Sequence, residues 1–114
     1  MNNQSTETST REIIKKFLDL IILGRLGDNS PMSGYDIIKY IHQRFHILQS
    51  PSTVYSALYS LERQNLIQGK TIQGKRAYRL TPQGEQRLKN IHKTKNKLQT
   101  LLTCIFPDSE IHQT

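Results

Sequence analysis

Apolar residues recur at helical spacing between Ser9 and Leu26, where Ile13, Phe17, Leu20 and Ile21 join Ile14, Leu18 and Ile22 in one broad stripe. Ser9 and Glu12 stand three apart, as in a capping box, so the pattern predicts a first helix over 9–26 that is mostly buried. Gly27, Asp28, Asn29, Ser30 and Pro31 end it with loop chemistry. A narrower stripe of Ile37, Ile38, Ile41 and Phe45 follows Ser33, with Asp36 completing a weaker box, and predicts a second helix from Ser33 to Phe45 or His46. Ser50-Pro51 then gives a strong start, because Ser caps the orphan amides and Pro is pre-set for the first helical position. It opens a third helix running to about Gln64.

From Leu66 the period changes. LIQGKTI and KRAYRLT flank Gln73-Gly74, and Tyr78 and Leu80 alternate with Ala77 and Arg79, as in a strand with one face on a core. Gln-Gly is a weaker hairpin signal than Asn-Gly and leaves the turn type open. Thr81-Pro82 repeats the cap-plus-proline start and opens a last helix over Pro82 to Phe106, ended by Pro107. The polar residues 1–8 are expected to be a disordered tail and 107–114 a flexible one. Three helices, a hairpin and a long closing helix make a mainly α (α+β) fold: a winged helix-turn-helix over 9–81 with a C-terminal helix over 82–106.

The chain of 114 residues is long enough for one domain with appendages but too short for separate cofactor and substrate domains. Its single cysteine, Cys104, excludes an intramolecular disulfide and any zinc site built on paired cysteines. No stretch has the roughly 20 apolar residues of a membrane span, residues 1–10 lack the features of a signal peptide, and the expected compartment is the cytoplasm. His42 and His46 have a spacing that suits two ligands on one helical face, yet no carboxylate companion accompanies them, so they are read as surface residues and no metal is assigned. No phosphate loop, nucleophile elbow or carboxylate pair stands out, so no enzyme activity and no cofactor are expected.

The net charge of +7 is concentrated. Residues 62–97 hold ten basic side chains against two acidic ones, whereas residues 1–61 hold six against five. Such a field suits a polyanion, and it equally suits a solvated surface; the third helix and the hairpin bear on the choice. At about 100° per residue, Val54, Leu58 and Leu61 share the core face with Ala57 beside them, and Ser52, Ser56, Tyr59 and Arg63 lie opposite, with Thr53, Tyr55 and Ser60 on the flanks. Hydroxyls and tyrosines reach phosphates and base edges without excluding a duplex. The plainer alternative is that Ser52 and Thr53 are ordinary first-turn residues and that Tyr55 packs against the hairpin. Lys70, Lys75 and Arg76 surround the turn, either to meet a phosphate backbone or to guard a sheet edge against pairing.

With these residues in view, the chain resembles the PadR family of transcriptional regulators. The matching stretches are PMSGYDI (Pro31 to Ile37), PSTVYSALYSLERQNLI (Pro51 to Ile67) and GKRAYRLTPQGEQRL (Gly74 to Leu88), within roughly residues 17–90. The resemblance implies a homodimeric winged-helix DNA-binding protein, commonly a repressor. Its recognition helix would hold Ser52, Thr53, Tyr55, Ser56 and Tyr59, and its wing Lys75 and Arg76. The chain departs from the family pattern with Ser52 in place of Gly, Ser56 in place of Pro, and a short wing. The single C-terminal helix resembles the short subgroup, and with no Trp in the chain a small-molecule effector is not carried over.

In the last helix Leu88, Ile91, Lys95, Leu98, Leu102 and Ile105 recur at alternating spacings of three and four, a heptad seam broken by one lysine and widened by Leu101. Its first half is expected to pack on its own domain. The remainder, Leu98, Leu101, Leu102 and Ile105, is expected to pair two subunits, since an exposed stripe of that length invites aggregation. Arg87, Lys89, Lys93 and Lys97 lie off the seam, either extending the positive field toward DNA or forming a solvated face. Cys104 is expected to be a small buried hydrophobe. Together these expectations describe a dimer on a pseudo-palindromic double-stranded operator, with helix 3 in the major groove and a basic wing on the phosphates. Two rivals are a winged-helix protein-docking module and a sequence-indifferent architectural DNA binder.

Overall fold

The computed structural model describes residues 16–28, 30–46 and 49–107. The Ser9–Glu12 box, Ile13, Ile14 and the tails 1–8 and 108–114 lie outside the described residues. In chain order the elements are α1 (16–26), β1 (Met32–Ser33), α2 (Gly34–Phe45), α3 (Pro51–Arg63), β2 (Ile67–Ile72), β3 (Lys75–Leu80) and α4 (Pro82–Ile105).

Leu18, Ile22, Leu23 and Leu26 of α1 meet Ile37 and Ile41 of α2 and Val54, Leu58 and Leu61 of α3, and Leu66, Ile67 and Tyr78 close the cluster from the hairpin side. Each fully buried aliphatic side chain contributes about 1.5–3 kcal/mol of transfer free energy, so this group holds three helices and a sheet together. The broad α1 stripe divides. Phe17 and Leu20 are exposed, contrary to the expectation of a mostly buried helix, because the core occupies only the arc that begins at Leu18 and nothing among the described residues covers the neighbouring flank.

Helix starts follow the caps. The Ser33 side chain accepts from the Asp36 N–H and the Asp36 carboxylate accepts from the Ser33 N–H, completing the box, so Ser33 is the cap and α2 begins at Gly34. Ser50 caps α3, which ends at Arg63 with Gln64 as its C-cap, and Thr81 caps α4.

The wing has one strand more than the hairpin pattern predicts. β1 pairs antiparallel with β3 through Met32↔Tyr78 and Ser33↔Ala77, giving the order β1-β3-β2. The extended backbone that lets Ser33 cap α2 also lets it pair with β3, so one residue serves two elements. Between β2 and β3, Ile72↔Lys75 leaves a two-residue loop in which both Gln73 (φ 52°) and Gly74 (φ 79°) are left-handed, the type I′ arrangement that matches strand twist.

Along α4, Leu88 and Ile91 are half-buried against the core, as expected of the first half of the seam. Beyond Ile91 the helix leaves its own domain, and Leu98, Leu101, Leu102, Ile105 and Phe106 are all exposed. Cys104 is exposed as well, correcting the expectation of burial, because it lies on this free half.

Candidate nucleic-acid interface

The start of α3 is held by hydroxyls. Ser50 Oγ accepts from the Thr53 N–H at 3.2 Å and lies 2.8 Å from Thr53 Oγ1 and 3.2 Å from Ser52 Oγ. Thr53 is thereby drawn into the cap and half-buried, while Ser52 remains exposed. With Val54, Leu58 and Leu61 turned inward, Ser52, Ser56, Tyr59 and Arg63 are exposed opposite them, as the helical projection predicts, and Tyr55 on the flank is exposed too.

Tyr59 is 65% exposed, and the Arg63 guanidinium sits 5.3 Å from its ring centroid, a cation–π contact that steadies both large side chains on the open face. Tyr55 lies against the backbone of Gly34 at the start of α2 and lines a groove there with Tyr35, Ile72, Lys75 and Tyr78. Tyr55 thus packs, and 46% of it stays open. A second groove runs between α3 and the wing, lined by Ser52, Ser56, Tyr59 and Arg76. On the other side of α3, Ser52, Ser56 and Ser60 face a cleft that holds Lys16 and Asp19 of α1. Burial pushes the Asp19 carboxyl above its ordinary value.

The wing cations do not form one cluster. In the ladder Lys70 pairs with Ala77 and Lys75 with Ile72, so these two lysines share one face with Arg79, while Arg76 and Tyr78 belong to the other face, toward α3. Arg76 is not a free cation. Its Nη2 donates to Glu62 Oε2 at 2.6 Å, and this bond holds the guanidinium's pKa above its ordinary value. The sequence puts Arg79 on a strand but marks neither it nor Glu62 as part of this surface. The alternation in KRAYRL separates Arg76 from Lys75 and Arg79, but the partnership with Glu62 depends on how α3 crosses the sheet. His42 and His46 are both exposed at the end of α2, and among the described residues no three His, Cys, Asp or Glu side chains come together.

A three-helix core that leaves one face of its third helix uncovered beside a short cation-bearing hairpin defines a winged helix-turn-helix transcription factor. The chain belongs to the PadR-like family of transcriptional regulators, whose family model matches residues 22–90. It is accordingly a regulator and not an enzyme. A PadR-like transcription factor from Bacteroides fragilis shares the fold, with a TM-score of 0.74 at 20% identity over 86% of this chain and 98% of that one. A PadR family regulator from Clostridium difficile is 26% identical, with a TM-score of 0.64 over 79% of this chain and 97% of that one. Bacillus subtilis PadR, solved in complex with operator DNA, is 33% identical with a TM-score of 0.58, over 65% of this chain and 46% of that longer one. No curated protein matches the sequence. Among the described residues no helix is long and apolar enough to cross a membrane.

Proposed function

We propose that the protein is a cytoplasmic, homodimeric, sequence-specific repressor that inserts the start of α3 of each subunit into successive major grooves of a pseudo-palindromic operator. The observation that carries this reading is the outward face of α3. Ser52, Tyr55, Ser56, Tyr59 and Arg63 are open together and offer donors and acceptors suited to base edges and phosphates. Lys70 and Lys75 of the wing, with Arg79 beside them, supply the phosphate contacts that give affinity without sequence information. Bacillus subtilis PadR with its operator supports the class of ligand.

The second copy is argued from α4 and α1. Leu98, Leu101, Leu102 and Ile105 present an apolar stripe that no described residue of the same subunit covers, and Phe17 and Leu20 of α1 add to the uncovered apolar surface. A two-fold dimer buries one such stripe against its equivalent. Its symmetry calls for half-sites about 34 Å apart or a multiple of that.

A fluorescence anisotropy titration with a fragment of the host's own regulatory DNA and with random duplex tests the reading. Neutralising on the order of eight phosphates gives a slope near −7 in log K against log salt. The specific fragment is expected to bind more than tenfold tighter than random duplex. A slope flatter than about −2 points to a protein-docking module, and a ratio below tenfold points to an architectural binder.

A further inference from the structure

We infer that Glu62 is a positioning residue that clamps Arg76, converting a wing cation from a general phosphate contact into one that operates only on a duplex seated in register. The inference rests on the DNA-binding reading above and concerns the groove between α3 and the wing.

Glu62 stands on the last turn of α3 and is half-buried. One of its oxygens, Oε2, accepts both from Arg76 Nη2 at 2.6 Å and from the Gly69 N–H of β2 at 3.2 Å, so a single carboxylate ties the helix to both long strands of the wing. Gly69 makes the approach possible. A Cβ there would lie 2.6 Å from Arg76 Nε and 2.9 Å from its Cζ, so a side chain at this position would push the guanidinium away from where it sits. Tyr78 backs the same group, its ring centroid 5.8 Å from the guanidinium carbon. Three neighbours thus fix one exposed side chain that is otherwise free to change rotamer.

Two consequences follow from charge and geometry. The Arg76 charge is largely compensated by Glu62, so it adds little to the long-range attraction that drives binding to any duplex. Its remaining N–H groups nevertheless occupy a fixed place in the groove that Ser52, Ser56 and Tyr59 line, where a correctly placed phosphate meets a preorganised donor. A phosphate out of register meets the Glu62 carboxylate instead. The pair therefore favours the operator over other DNA by geometry and by repulsion together.

Titrations of wild type, Glu62→Gln, Arg76→Gln and the double variant against operator and random duplex, each over a series of salt concentrations, test this. Glu62→Gln preserves size and still accepts from Gly69 while freeing the Arg76 charge. It is expected to tighten random-duplex binding about three- to tenfold and to steepen the salt slope by about two per dimer, so that the operator-to-random ratio falls. Arg76→Gln leaves the Glu62 carboxylate uncompensated, so it is expected to weaken random-duplex binding about three- to tenfold and operator binding about tenfold more than that. In the double variant the gain in random-duplex binding disappears. An unchanged ratio in Glu62→Gln, or equal losses on both duplexes in Arg76→Gln, overturns the clamp while leaving the DNA-binding reading intact. A wild type that binds neither duplex removes that reading and the inference with it. Circular dichroism melts of all four proteins show whether a loss comes from unfolding, and because Arg76→Gln changes only a half-exposed side chain, its result stands even where Glu62→Gln is unstable.

Discussion

The Thr81 hydroxyl donates to the main-chain carbonyl of Asn65 at 2.6 Å, joining the residue that caps α4 to the turn that leaves α3. The same oxygen accepts from the Gly84 N–H at 2.9 Å, and the Thr81 N–H donates to the Leu66 carbonyl at 3.1 Å. In the dimer proposed through α4, this knot ties the pairing helix to the end of α3. Thr81→Val keeps the volume but removes both side-chain bonds, and urea unfolding is expected to show a loss of about 2 kcal/mol. Thr81→Ser, which restores the oxygen, is expected to recover most of it.

Gly84 faces a harder constraint. A Cβ at this position would sit 1.9 Å from the Leu66 carbonyl oxygen, which is main chain and has nowhere to go. Gly84→Ala is therefore expected to cost about 3 kcal/mol or more, read as a fall in the urea midpoint. Gly24 on α1 is the control, since a Cβ there meets nothing within 4 Å. Gly24→Ala is expected to stabilise by up to about 1 kcal/mol through helix propensity.

Caps and periodicity made most of this fold legible. Ser33, Ser50-Pro51 and Thr81-Pro82 mark the starts of three helices to within a residue, and Val54, Leu58 and Leu61 separate the core face of α3 from its open face, because these signals are local and the core obeys them. What escaped is non-local. β1 is two residues long, has no period of its own, and exists because β3 offers Ser33 and Met32 an edge. The exposure of Phe17 and Leu20 depends on which arc of α1 meets α2 and α3, and the Glu62–Arg76 pair depends on a separation of 14 residues closed by the wing. Apolar spacing alone gave Cys104 the wrong environment because it does not say where α4 leaves its domain.

Asp19 gives a pH dependence with a definite sign. Burial raises its folded-state pKa, so the fold disfavours the carboxylate; the group costs no stability while protonated and becomes unfavourable as pH rises from its unfolded value through the raised folded one. Asp19→Asn is expected to raise the melting temperature at pH 7 by a degree or two, on the order expected of a half-exposed group, with the gain vanishing below about pH 4. A gain that persists unchanged in acid would assign the effect to packing instead.

Base reading should separate from phosphate contact on α3 and the wing. Ser52→Ala removes a hydroxyl from the open face and Tyr55→Phe one that lies beside Gly34, both without disturbing the core, and they are expected to change the preference between operator variants by about 1–3 kcal/mol at single positions. Lys75→Ala is expected to weaken all duplexes alike and to flatten the salt slope by about one per subunit. Selection from a randomised duplex pool, run in parallel for the three variants, distinguishes the two behaviours.

Pairing through α4 is the remaining expectation, and the free half of that helix allows a clean test. Leu98 is 52% exposed and Leu102 46% exposed, so neither supports the core of its own subunit. Leu98→Asp and Leu102→Asp should therefore fold normally by circular dichroism. In a dimer seam, however, each carboxylate would be desolvated without a partner, at about 3 kcal/mol or more per buried charge, and would be present twice by symmetry. Sedimentation is expected to give a dimer for wild type and monomers for both variants, with operator affinity falling by more than tenfold because each half-site must then bind alone. Variants that remain dimeric would move the pairing surface elsewhere, first to the exposed Phe17 and Leu20 on α1, where Phe17→Asp is the corresponding probe.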